Sequence, residues 1–227
     1  FGIGLRLSAE ASLELIKPGN LEAFRQWLNE NDCYVFTMNG FPYGGFHHTI
    51  VKDKVHAPDW TTAERTQYTI RLVQILAELL PAKMDGGIST SPLTYRYWHN
   101  DSELPKVFET ATANLLQVVD QLIQVKQTTG KVIHIDIEPE PDGLLGDGKE
   151  FLEWYTRWLL PKGTDYLRKT YSISAPMAEE HIKEHIRVCY DVCHFAVSYE
   201  DHVEMITKLK ELGIQTGKIQ ISAALRS

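Results

Sequence analysis

Val132-Ile133-His134-Ile135-Asp136-Ile137-Glu138 alternates apolar and polar side chains with a period of two, the spacing of an extended strand. If the isoleucines pack outward on helices, His134, Asp136 and Glu138 point to the inside of a sheet. The same phasing recurs further along. With Ile186, Val188 and Tyr190 outward, Asp191 points inward, and with Ile219 and Ile221 outward, Gln220 does. Polar residues entering from the ends of several strands predict a (β/α)8 barrel. The competing doubly wound sheet calls for a glycine-rich phosphate turn after an early strand, and Gly44-Gly45-Phe46 lacks that spacing.

Strand-like runs at Gly2–Leu7, Tyr34–Asn39, Gly87–Thr90, Val132–Glu138, Ile186–Asp191 and Lys218–Ser222 are separated by helical patterns. Between Thr61 and Leu80 the apolar positions Leu72, Val73, Leu76, Leu79 and Leu80 form one face, and Thr61 with Glu64 reads as a capping box. From Leu104 to Thr129, Pro105 falls in the first turn, Val107, Leu115, Val118, Val119 and Leu122 share a side, and Gly130 follows. Asp201 opens a third pattern through Val203, Ile206, Leu209 and Leu212 to Gly213. This alternation predicts an α/β chain with a parallel sheet under helices. Six strands are visible where a closed barrel has eight, and residue 1 is Phe. The expectation is one barrel domain over residues 1–227, an internal piece of a longer protein lacking the first and last strands.

The 227 residues include 23 basic and 30 acidic ones, a formal charge of −7, with 43% hydrophobic residues. That mix supports a globular core and offers no basic face for nucleic acid. No apolar run approaches the ~20 residues of a membrane span, and no signal peptide is visible. Cys33, Cys189 and Cys193 cannot close a disulfide framework, being odd in number. A reducing, cytoplasmic setting is expected.

Strand ends supply Asn39, Glu138, Asp191 and Gln220, and His194 follows Asp191 by three residues. Carboxylates, a carboxamide and an imidazole suit Mg²⁺, Mn²⁺ or Zn²⁺. Two inward carboxylates repel at neutral pH, and a divalent cation removes that cost while acting as a Lewis acid. Any one of these acids reads equally well as a hydrogen-bonded core group; their joint occurrence favours a site. Cys189 and Cys193 read as small buried fillers, because their spacing sends the two sulfurs in different directions. The loop Asn39-Gly40-Phe41-Pro42-Tyr43-Gly44-Gly45-Phe46-His47-His48 forms either a wall of ligand contacts or a stability element, and Tyr95-Arg96-Tyr97-Trp98-His99 repeats the theme. Arg226 either reaches an anionic or polyol ligand or is a solvated charge. Trp154 and Trp158, at i and i+4, read as core.

Val188-Cys189-Tyr190-Asp191-Val192-Cys193-His194 resembles the Asp-x-x-His strand end of the xylose isomerase-like barrels, which include sugar isomerases, epimerases and zinc-dependent endonucleases of abasic DNA. Gly4-Leu5-Arg6-Leu7-Ser8, Asn39-Gly40-Phe41-Pro42-Tyr43-Gly44, Val51-Lys52, Pro58-Asp59-Trp60, Glu138-Pro139-Glu140-Pro141 and Lys218-Ile219-Gln220-Ile221-Ser222 together resemble the bacterial metabolite traffic family EboE, over essentially the whole chain. The resemblance implies that Glu138 binds a divalent metal (Mn, Mg or Zn) and transfers protons, that Asp191 is a metal ligand, and that His194 touches substrate or a second metal. Gln220 falls where many relatives carry a ligating histidine, a departure that weakens or retunes the metal site. Asn39, Tyr43, His47 and Arg226 are the expected substrate contacts, and the last-strand glutamate of those relatives has no counterpart. The implied function is handling or trafficking a secondary-metabolite precursor alongside other Ebo-cluster proteins. The alternative is a metal-dependent sugar isomerase or epimerase acting on a polyhydroxylated small molecule. Action on abasic DNA shares the metal logic but is opposed by the acidic charge.

Overall fold

The computed structural model describes residues 1–44 and 52–223, so His47 and Arg226 lie outside the described residues. Six strands, β1 (Gly2–Arg6), β2 (Tyr34–Asn39), β3 (Gly86–Thr90), β4 (Ile133–Ile137), β5 (Ile186–Asp191) and β6 (Thr216–Gln220), form one parallel sheet whose spatial order is the sequence order. A doubly wound sheet reverses its order at a switch point. Stepwise winding in one direction is the barrel pattern, and the chain forms a half-barrel.

The sheet curls strongly. Lys218 Nζ on β6 reaches across the inside to donate to Ser89 Oγ on β3 at 3.1 Å. Pairing between β5 and β6 shifts register at Val188/Cys189: Thr216 faces Val188, Lys218 faces Cys189, and Gly217 is passed over. A Cβ on Gly217 would stand 1.8 Å from Asp136 Oδ1, so only glycine permits β6 to approach β4 this closely.

The helices are α1 (Ala9–Leu15), α2 (Asn20–Glu30), α3 (Ala63–Leu79), α4 (Leu104–Thr129), α5 (Gly148–Trp154), α6 (Leu160–Tyr171), α7 (Ala175–His185), α8 (Val192–Val197) and α9 (His202–Glu211), with a π turn at Tyr155–Leu159 joining α5 to α6. Ile133, Ile135, Ile137, Ile186 and Val188 are fully buried with Leu72, Leu76, Leu115, Val119 and Leu122 in one core. Each such side chain contributes about 1.5–3 kcal/mol on burial. Pro105 sits in the first turn of α4, and Gly130 ends it in the left-handed conformation at φ 73°.

Four local expectations need correcting. The cap of α3 is Thr62, whose side chain accepts from Arg65 N, while Thr61 is tied to Asp59 instead. β6 begins and ends two residues earlier than its apolar pattern, because Ile221 lies beyond the last pairing with β5. In α9, Met205 and Leu209 are buried, but Val203 and Ile206 stand exposed, so the apolar face is only partly covered among the described residues. Trp154 is core, whereas Trp158 is half-buried and stacks on Phe108 at 5.4 Å.

Candidate functional site

Glu138 is the first residue past β4, and its amide still bonds Thr90 O at 3.0 Å, which aims its side chain inward. Asp191 ends β5 and caps α8, its Oδ1 accepting from Cys193 N at 3.0 Å. Gln220 ends β6 in register with Asp191. The three side chains meet: Gln220 Nε2 donates to Glu138 Oε1 at 2.8 Å and to Asp191 Oδ2 at 2.8 Å. Both carboxylates are buried.

His194, in the first turn of α8, closes the group. Its Nδ1 lies 3.0 Å from Pro139 O. A carbonyl only accepts, so Nδ1 carries the hydrogen and Nε2 presents a lone pair. That Nε2 is 4.0 Å from Asp191 Oδ2.

The two acids are driven apart. Burial pushes the Glu138 carboxyl up; His194 and the Gln220 hydrogen bond oppose this, and Glu140 and Asp191 reinforce it. Burial also acts to raise Asp191, but hydrogen bonds from Ser222 and Cys193, together with His194, outweigh it and hold the carboxyl below its ordinary value. The proton affinities of the two acids are thus pushed in opposite directions.

Beneath this pair lies a second layer. His134 Nδ1 bonds Asp136 Oδ1 at 2.6 Å, and Asp136 Oδ2 is buried without a hydrogen-bond partner. Gly87 and Gly217 leave the room these side chains occupy. Cys189 Sγ points at Glu138 Oε2 at 3.7 Å, and burial raises its thiol strongly. Cys193 is not the buried filler its spacing predicts. It is partly exposed, and its sulfur belongs to an Asp191–Cys193–His194 group whose ligand atoms lie within 4.8 Å of one another.

The donor set fits a divalent ion, since Glu138, Asp191, His194 and Cys193 all offer metal-ligating atoms here. Gln220 departs from a ligand role as oriented, because it turns its amide nitrogen rather than its oxygen to the carboxylates. Asn39 and Tyr43 are not drawn into this hydrogen-bonded group. Asn39 Oδ1 accepts from Phe41 N at 3.0 Å, and the Tyr43 ring packs edge-on against Tyr68 at 5.1 Å. Beside the mouth, Phe41, His56, Tyr95 and Trp98 form an aromatic group, and His56 Nε2 contacts Glu140 Oε1 at 3.1 Å. Sequence reasoning missed Ser222, whose hydroxyl bonds Asp191 Oδ1 and accepts from Cys193 N. Carrying the period of two from Gln220 to residue 222 would have found it.

No family model matches the chain. It is similar to 5-methyltetrahydropteroyltriglutamate–homocysteine methyltransferases of Paraburkholderia phytofirmans, 27% identical over 198 residues, and of Paraburkholderia xenovorans, 26% identical over 198 residues. Each alignment covers 83% of this chain and 23% of that protein, so the chain spans under a quarter of these curated relatives. Among solved structures it is similar to the probable 3-DHS dehydratase AsbF of Bacillus anthracis, involved in petrobactin synthesis, with a TM-score of 0.50 and 12% identity over 92% of this chain and 59% of that one. The IOLI protein, solved with a bound zinc atom, matches with a TM-score of 0.50 and 12% identity over 91% of this chain and 58% of that one. These likenesses show the fold alone, an α/β half-barrel of parallel strands.

Proposed function

We propose that this chain carries the proton-transfer site of a divalent-metal-dependent isomerase or epimerase acting on a polyhydroxylated small molecule. The observation that supports this reading is the opposed bias of Glu138 and Asp191 beneath one carboxamide. Acid and base roles are assigned where neighbouring titratable groups are pushed apart. Glu138 moves the proton on carbon, Asp191 remains the anionic anchor, and His194 Nε2 meets a substrate hydroxyl. Glu138, Asp191 and Gln220 would hold the metal, with Gln220 turning its amide oxygen inward; a bound Mn, Mg or Zn ion supplies polarisation of adjacent substrate oxygens. The zinc atom of the IOLI protein supports that class of metal. Asn39 and Tyr43, joined by His47 and Arg226, are the proposed substrate contacts. Three free thiols support a reducing, cytoplasmic setting.

The second reading is the metabolite-trafficking role of the EboE family, with other Ebo-cluster proteins as partners. It is favoured by Gln220 satisfying both carboxylates without an ion. Solvent-deuterium wash-in separates the two. With Mn²⁺ and a panel of ketoses and inositols, the enzyme reading expects exchange at carbon that falls by about 10²–10⁴-fold in Glu138→Gln, with ligand binding retained by calorimetry. Binding without exchange in the unmutated protein would leave the trafficking role.

A further inference from the structure

The other end of the strands holds a second group of ligand-type side chains. His181, Glu184 and His185 lie in the last turns of α7 at i, i+3 and i+4, hence on one helix face. Their ligand atoms lie within 4.8 Å of one another. Glu184 Oε2 is 3.4 Å from His185 Nε2 and 3.9 Å from His181 Nδ1. The two imidazole rings are nearly parallel, 6.4 Å apart.

His185 is fully buried, and its Nδ1 lies 2.8 Å from the carbonyl oxygen of Ile133 at the start of β4. That bond requires the hydrogen on Nδ1, so Nε2 presents its lone pair to the cluster. His185 Nε2 and His181 Nδ1 are both buried without a hydrogen-bond partner. The atom facing them is a carboxylate oxygen, itself only an acceptor. Lys126 occupies the other oxygen of Glu184, leaving Oε2 to the imidazoles. The lone pairs of His185 Nε2 and Glu184 Oε2 face each other at 3.4 Å and repel, and a cation between them, with His181 Nδ1 beside it, removes that cost.

We propose that His181, Glu184 and His185 form a binding site for a zinc-class divalent ion, separate from the Glu138 group and tying the end of α7 to the base of β4. Two imidazoles with one carboxylate select zinc-like metals over magnesium or calcium, which take oxygen ligands throughout. The bond from His185 to Ile133 O is the outer contact that typically orients a metal-binding imidazole. Glu184 also lines a groove of about 500 Å³ with Asp85, Glu180 and Arg187.

The test is calorimetric titration of the full-length protein with Zn²⁺, backed by the visible absorption of Co²⁺. The variants are His181→Gln, Glu184→Gln and His194→Gln, each checked for native circular dichroism. His181 and Glu184 are partly exposed and tolerate the change better than buried His185. The expected result is one zinc equivalent that weakens at least about tenfold in His181→Gln and Glu184→Gln and persists in His194→Gln. Wild-type zinc affinity and stoichiometry in His181→Gln, or loss of every zinc equivalent in His194→Gln, overturns the proposal. Because His194 belongs to the other group, failure here is distinguishable from failure of the proposed enzyme site.

Discussion

Gln220 sets the state of both carboxylates around it. Its single amide nitrogen donates to Glu138 and Asp191 together, and turning the carboxamide over would bring three oxygens into the same space. A cation, or a proton on Glu138, would stabilise that second arrangement. The raised carboxyl of Glu138 has a cost in folding that can be measured. The folded protein holds this proton more tightly than the unfolded chain, so the stabilising contribution is present at low pH and disappears as pH rises through the folded value. At pH 7 the Glu138→Gln variant is therefore expected to be more stable than wild type in urea titrations while losing activity. Lower stability of the variant at pH 7 would contradict the assigned direction.

Gly217 shows how one element depends on one missing atom. Gly217→Ala places a methyl group onto Asp136 Oδ1, which lies in a layer with no slack between β4 and β6. The expected loss is about 1–3 kcal/mol, the usual range for overpacking, read as a lower urea midpoint at unchanged slope. A change within error would mean that β6 does not approach β4 this closely. A second element-scale effect belongs to α7. Burial lowers His185 to about 4 from an ordinary value of 6.5. The unfolded chain takes up a proton between these values that the folded one refuses, so stability falls as pH drops from about 6.5 towards about 4. In EDTA the effect is at most about 3 kcal/mol, and it disappears in a His185→Asn variant. A flat stability profile across that window for the wild type would count against it.

Across the whole molecule, the parts of the sequence with strict periods were the readable ones. β2 and β5 carry the bounds that their alternation predicts, and the phasing of residues 132–138, 186–191 and 219–221 correctly turns Glu138, Asp191 and Gln220 to one side. α1 is short and buries only Ala9 and Ser12, whereas α2 does carry a stripe, Leu21, Phe24 and Leu28 at i, i+3 and i+7, that packs on the core and went unread. The loop after β2 was hard to read for a different reason. Asn39 folds back on its own loop and Tyr43 packs on Tyr68, beneath the guanidinium of Arg65, and such tertiary contacts have no local signature. Arg65 itself is buried, bonding Gly40 O at 2.7 Å and Pro58 O at 2.8 Å, and burial lowers it to about 10. No periodic argument marks a core arginine of this kind.

The half-barrel leaves Phe36 on β2, Ile219 on β6 and Ile221 just past β6 exposed. The Glu138 group sits at the strand ends of this open shell, and its proposed chemistry rests on two acids in electrostatic states that pull their proton affinities in opposite directions. Carboxyl carbon titration by NMR, with Glu138 and Asp191 assigned through their Gln and Asn variants, reads those states directly. The account predicts that Glu138 titrates above 4.5 and Asp191 below 3.8, and that Gln220→Leu moves Glu138 further up by removing a hydrogen bond that favours its anion. Two ordinary midpoints, or the reverse order, would contradict it.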